Sequence, residues 1–262
     1  MKKSFISITI LAIAHTFSYA GSSAANTVGV EKFGAEAIAA FAEKVETTLD
    51  EKQVNVAILA RTGRMDDDLP EGVDYTHVGI AVFEAIRNTN NEISYAYTVY
   101  NLYQGAGGRK DRSHLVQDFI FDMCAGIAEP KIGVIIPSDE LQRNILKVIR
   151  SSIYSQLHNG NYNILANPYN DEFDNCVSHT LETVVAGMLK TQDPLAVEKK
   201  IHESFDAHIM KLSLLQEIGI GFIKGGTLDD QNGNKVYTAT FGSVRKFLEQ
   251  ENQLKEFMEI YM

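Results

Sequence analysis

Apolar residues along this chain recur with two different spacings, and the changes between them mark out its elements. Continuous or alternating apolar runs at "VNVAILA" (54–60), "DYTHVGIAVF" (74–83), "ISYAYTVYNLY" (93–103) and "IGVIIP" (132–137) predict strands, the third rich in the aromatic and β-branched residues that sheets favour. "RNTNNE" (87–92) is a turn between the second and third strands. Helical spacing predicts a helix over 35–45, with Ala39, Ala40 and Phe41 on its apolar side, and another over 139–157 capped by Ser138. From Cys176 onward, Val177, Leu181, Val184, Val185 and Met188 form a core-facing stripe on a third helix. Asp193-Pro194 opens a fourth helix that runs to about residue 215. A hairpin follows, made of 218–223 and 235–241 around the Asn232-Gly233 turn, and a last helix covers 244–261. "RTGRMDDDLPEG", "QGAGGRKDRSHL" and "HNGNYNILANPYNDEFDN" read as loops, the second a candidate lid at Gly105–Gly108. No repeat or linker divides the chain. The pattern predicts α+β architecture with a mostly antiparallel sheet packed against helices.

The first residues change that picture. Met1-Lys2-Lys3 is a basic start, "FISITILAIAHTF" (5–17) an apolar run, and Ser18-Tyr19-Ala20 a small-residue cleavage signature. This is the three-part form of a secretory signal peptide, too short for a membrane span. The expected organisation is a signal peptide over 1–20, one domain over 21–262, and a periplasmic or secreted product with no transmembrane segment after cleavage. The whole chain carries 24 basic and 34 acidic residues, net −10. Cleavage removes two lysines and no acid, leaving about −12, which argues against nucleic acid or an anionic membrane as partner. No phosphate loop, dinucleotide fingerprint, H-E-x-x-H or C-x-x-C is present, so no cofactor and no metal centre are expected.

Candidate chemistry centres on "DNCVSHTLE" (174–182). Cys176 stands in the first turn of its helix, with Asp174 or Asn175 as cap. Free N–H groups and the positive helix end there favour a thiolate and can hold an oxyanion, whereas Asp171, Glu172 and Asp174 oppose the thiolate. Three readings stand for this cysteine: a packed thiol, a disulfide with Cys124, or a nucleophile. A nucleophile needs a base. His77 is the candidate, on a strand face shared with Tyr75, Gly79 and Ala81, where small neighbours leave room for a helix end or a substrate. Pairing about residues 88–89 sets His77 opposite residue 100 or 101, so Asn101 is the candidate to orient the imidazole. His179, three residues after Cys176, is a competing candidate to contact the thiol directly, or else a helix-surface histidine, the reading favoured because i,i+3 neighbours seldom offer triad geometry. Arg61 and Arg64 are candidate clamps for a substrate carboxylate or phosphate, or partners of Asp66 to Asp68, and Tyr75 is a candidate substrate contact.

"YTHVGIAVF" followed much later by "NCVSHTLE" resembles the circularly permuted branch of the NlpC-type, papain-like thiol hydrolases. The "NC" helix start is also similar to the lecithin retinol acyltransferase group. More closely, "ARTGR", "YTHVGIAV", "VYNLYQG", "NPYNDEFDNC" and "FGSVRKFL" look like a family of exported bacterial proteins known as domain of unknown function 2145. This resemblance implies a permuted papain-like fold, Cys176 as nucleophile, His77 as base and Asn101 in the third polar position. The implied activity is hydrolysis or acyl transfer on a small-molecule, peptide or lipid substrate of the cell envelope. The alternative is a non-catalytic envelope binding or assembly module on the same fold.

Overall fold

The computed structural model describes residues 27–63, 69–87, 90–105, 109–211, 226–231 and 235–262. The expected signal peptide, Arg64, most of the proposed lid, the 218–223 strand and the Asn232-Gly233 turn lie outside the described residues. In chain order the elements are α1 (Val28–Phe33), α2 (Ala35–Glu51), β1 (Val56–Arg61), β2 (His77–Arg87), β3 (Ile93–Gln104), β4 (Ser113–Phe119), α3 (Ile120–Ala125), β5 (Lys131–Pro137) and α4 (Asp139–Ile149). There follow α5 (Ile153–Gln156), α6 (Cys176–Leu189), α7 (Pro194–Ser204), β6 (His208–Lys211), β7 (Lys235–Thr238), α8 (Phe241–Gln250) and β8 (Leu254–Tyr261).

Six strands form one sheet in the order β4-β3-β2-β1-β5-β8, antiparallel throughout, and β6 pairs with β7 separately. The expected α+β class with an antiparallel sheet holds. Strand alternation divides the core in two. Ile58 and Ala60 of β1 and Val78, Ile80 and Val82 of β2 pack with α4, α6 and α8. Ala57 and Leu59 of β1, Ala81 of β2 and Val99 of β3 pack with α2 and α3. Both sheet faces are covered, which is why β1 reads as an unbroken apolar run rather than an alternating one. No helix among the described residues is long and apolar enough to cross a membrane.

Several elements depart from the expectations, each for a physical reason. β4 occupies the end of a presumed loop: it is a half-exposed edge strand and lacks the apolar signature of a buried one. The helix expected over 139–157 breaks after Ile149, where Ser151 Oγ donates to the Val148 carbonyl. The helix after Pro194 ends at Ser204, and the final one at Gln250. Asn252 takes a left-handed conformation (φ 55°), and the chain returns as β8 to pair with the backbone of β5. On α2 the buried face is Ile38, Phe41, Ala42, Val45 and Leu49, whereas Ala40 is exposed.

β2 starts at His77 rather than Asp74. Residues 74–76 run beside 61–63 with one backbone bond, from Thr76 N–H to the Arg61 carbonyl, and two through side chains: Thr62 Oγ1 donates to the Asp74 carbonyl, and Gly63 N–H donates to Thr76 Oγ1. Alternation therefore does not extend back to Tyr75, which joins the core on the α4–α6–α8 side. Its ring meets Phe241 edge-on at 4.9 Å and lies over Gly133, and its hydroxyl donates to Glu259. A Cβ on Gly133 would stand 2.7 Å from the Tyr75 ring and 2.8 Å from Phe241. Gly133→Ala is therefore expected to destabilise the chain by about 1–3 kcal/mol, read as a lower urea midpoint with an unchanged slope.

Candidate active site

α6 begins where its sequence says it should. Asn175 is the N-cap: its Oδ1 accepts from the N–H groups of Val177 (2.9 Å) and Ser178 (3.0 Å). Its Nδ2 donates to the carbonyls of Asn163 and Ile164, tying the helix start to the preceding loop. Asp174, the other capping candidate, receives the N–H of Asn175 instead. Cys176 is thus the first helical residue, 8% exposed. Because the cap takes the second and third N–H groups of the turn, Cys176's own amide is the one left near its sulfur to meet an oxyanion. Burial, and then the charge of Asp174, push the thiol up to about 11 against the lowering pull of the Val78 N–H and Arg61.

His77 opens β2 on the α2–α3 side of the sheet. Its Nε2 lies 2.9 Å from Asn101 Oδ1, and its ring stacks on Tyr103 at 4.8 Å with 7° between planes. The β2–β3 register sets Gly79, not His77, opposite Asn101, two residues from the expected pairing. Asn101 reaches the imidazole diagonally because Gly79 has no side chain; a Cβ there would overlap Asn101 Oδ1. The Asn101 amide is itself oriented, since Nδ2 donates to Asp118 Oδ1 (2.7 Å) and to the Val99 carbonyl (3.1 Å). Its oxygen must then face His77, which makes Nε2 the protonated nitrogen and leaves the Nδ1 lone pair as the base. Asp118 also accepts from the Tyr103 hydroxyl at 3.0 Å. Burial, and then the charge of Asp122, raise Asp118 to about 7. Burial, helped by the Arg61 charge, lowers His77 to about 3 against the opposing Asn101 bond, so the ring is neutral.

The two halves meet at the end of the β2–β3 ladder. Pairing starts at Gly79 with Asn101, and one residue beyond it the Val78 N–H faces the Cys176 sulfur. The sulfur reaches the β2 backbone from the α6 side, while the His77 ring projects to the α3 side. Among the described residues no hydrogen bond joins the two. The structure thus brings His77 and Asn101 into contact and sets Cys176 against the neighbouring peptide.

The remaining candidates fall elsewhere. Arg61 is buried at the end of β1, and its Nη1 donates to the Asp122 and Met123 carbonyls at the end of α3, so its charge acts on the site from behind. Tyr75 is committed to Phe241 and Glu259. Cys124 and Cys176 are both free thiols, packed on opposite sides of the sheet. His179 corrects the surface reading: it is 3% exposed, with the rings of Tyr154 on α5 and of His158 packed edge-on against it. Sequence reasoning also passed over Asp118, because only the pairing of β4, a strand without an apolar signature, puts it on the same face as Asn101.

His77 makes stability depend on acidity. Its folded-state value lies below its unfolded value, so the stability it contributes is present above about pH 6.5 and is lost as pH falls toward 3. Asp118 works oppositely, since a raised carboxyl favours the fold more as pH falls through 7. Comparison with His77→Gln isolates the histidine. Wild type should lose up to about 1.4 kcal/mol per pH unit more than the variant between pH 6 and 4, checked by denaturant midpoints across that range. Equal slopes would mean that the buried ring is not held neutral.

No curated protein and no solved structure matches the chain. A family model described as an uncharacterised protein conserved in bacteria does match, over residues 48–248, a span that includes every candidate residue above. The chain belongs to that bacterial family, domain of unknown function 2145.

Proposed function

We propose that the protein is an exported thiol hydrolase or acyltransferase with a permuted papain-like arrangement, acting on amide bonds of cell-wall peptides or on acyl esters. The observation that carries this reading is the meeting at the open end of β2 and β3. There the Cys176 sulfur faces the amide joined to His77, and the Asp118–Asn101 bonds orient the His77 ring with Nδ1 as its basic nitrogen.

This scheme requires the sulfur and Nδ1 to meet at the end of the β2–β3 ladder, where the thiol gives its proton to Nδ1 as the sulfur attacks a carbonyl carbon. The Cys176 amide meets the resulting oxyanion. The leaving amine or alcohol takes the proton from His77 and departs, leaving an acyl thioester on Cys176. Water, or another acceptor, then gives a proton to His77, attacks the thioester and restores the thiol. Because His77 is held neutral and the thiol protonated, proton transfer accompanies attack rather than preceding it. Asn101 and Asp118 are positioning residues in this scheme.

A second reading is favoured by the placement of sulfur and ring on different sides of the β2 backbone. It makes the same fold a non-catalytic envelope binding or assembly module, with Cys176 a packed thiol. Reactivity separates the two. In a Cys124→Ser background, Cys176 is expected to be alkylated by iodoacetamide at pH 7.5 at least about tenfold faster than in the same chain carrying His77→Gln. Incubation with muropeptides or a short acyl thioester should leave an acyl mass on Cys176 that is absent in Cys176→Ser. Alkylation indifferent to His77, with no acyl adduct, would leave the binding module.

A further inference from the structure

We propose that Asp174, His179 and Glu182 form a binding site for one divalent transition-metal ion of the zinc type, at the start of α6 and separate from the thiol. The three side chains come from the cap region and the first two turns of the helix. His179 and Glu182 are three residues apart and share a helix face, and Asp174, just before the cap, turns its carboxylate back toward them.

Their donor atoms converge. His179 Nδ1 lies 3.7 Å from Asp174 Oδ2 and 4.0 Å from Glu182 Oε2, and the three donor atoms lie within 4.8 Å of one another. These separations are too long for hydrogen bonds. Donors of a tetrahedral ion with bonds of about 2.1 Å stand roughly 3.4 Å apart, so the two distances to His179 must shorten by a few tenths of an ångström and the carboxylates must draw together as an ion binds. All three atoms are buried and make no hydrogen bond. His179 is 3% exposed and Asp174 1%; Glu182 exposes part of its stem while its Oε2 is enclosed. Buried polar atoms are almost always satisfied, so a cluster of such atoms converging on one point calls for an occupant.

The surroundings favour a cation over a water molecule. Two carboxylates face the imidazole, and the charges of Asp171 and Glu198 act on Glu182 from outside. The Tyr154 ring meets His179 edge-on at 4.8 Å and the His158 ring stands 6.0 Å away, closing the site on that side. His158 Nε2 is engaged with Ser113 Oγ. One imidazole nitrogen and two carboxylate oxygens make a borderline donor set that suits zinc better than magnesium or calcium, with a water completing the coordination.

Titration of the purified, chelator-stripped chain with Zn²⁺ tests this independently of any thiol activity. Calorimetry is expected to show one ion per chain, with a rise in melting temperature that Mg²⁺ and Ca²⁺ do not reproduce. Glu182→Gln and His179→Gln should each weaken Zn²⁺ binding at least about tenfold, while a Cys124→Ser, Cys176→Ser double variant binds as wild type does. If His179→Gln fails to fold, Glu182→Gln together with the Co²⁺-substituted chain decides. That chain should show visible ligand-field bands without a sulfur-to-cobalt charge-transfer band. No bound Zn²⁺, binding unaffected by Glu182→Gln, or binding abolished by the cysteine double variant would each overturn the assignment.

Discussion

Everything of chemical interest in this protein depends on how the Asn175 side chain holds the start of α6. One amide does two jobs. Its oxygen takes the N–H groups of Val177 and Ser178, which begins the helix at Cys176, and its nitrogen anchors that start to the carbonyls of Asn163 and Ile164. The anchored turn carries Cys176 toward the backbone of β2, and it carries Asp174 and His179 toward Glu182 on another side of the helix. A cap that merely ended the helix would leave both arrangements free to drift, because neither the thiol nor the His179 imidazole makes a side-chain hydrogen bond that fixes it.

The sheet supplies the complementary constraint. Its residues alternate between two covered faces, so a polar group on β2 or β3 must find its partners on its own face. On the α2–α3 face the polar residues do so as a chain: Tyr103 and Asn101 donate to Asp118, and Asn101 accepts from His77. Burial keeps His77 neutral and raises Asp118, and the nearby Arg61 charge favours the neutral imidazole while offsetting part of the carboxyl's shift. The network holds one tautomer of one histidine in a dry environment, where unsatisfied alternatives are costly. On the opposite face β2 presents Val78, Ile80 and Val82 to α6, and only at the open end of the ladder does the backbone meet the sulfur.

Much of this was legible in the chain. The buried strands β1 and β5 announced themselves by unbroken apolar runs, α6 by its stripe and cap, and the antiparallel class by short turns. Hairpin geometry put His77 and Asn101 on neighbouring strands, but not the pairing itself: the register sets Gly79 opposite Asn101, and the contact with His77 is diagonal. What escaped were elements whose signal is weak by nature. β4 is a polar edge strand, and β8 is a strand because β5 has an unpaired edge, a requirement invisible in residues 254–261 themselves.

The sequence by itself determined the architecture class, the helix start at Cys176 and the candidacy of His77 and Asn101, because caps and apolar periodicities act over a few neighbouring residues. Only the tertiary structure decided which side of β2 each group occupies, that Tyr75 and Arg61 are engaged elsewhere, and that His179 is buried beside two carboxylates. Those outcomes depend on contacts between segments tens of residues apart, and on which rings close over His179. Local spacing carries no information about either.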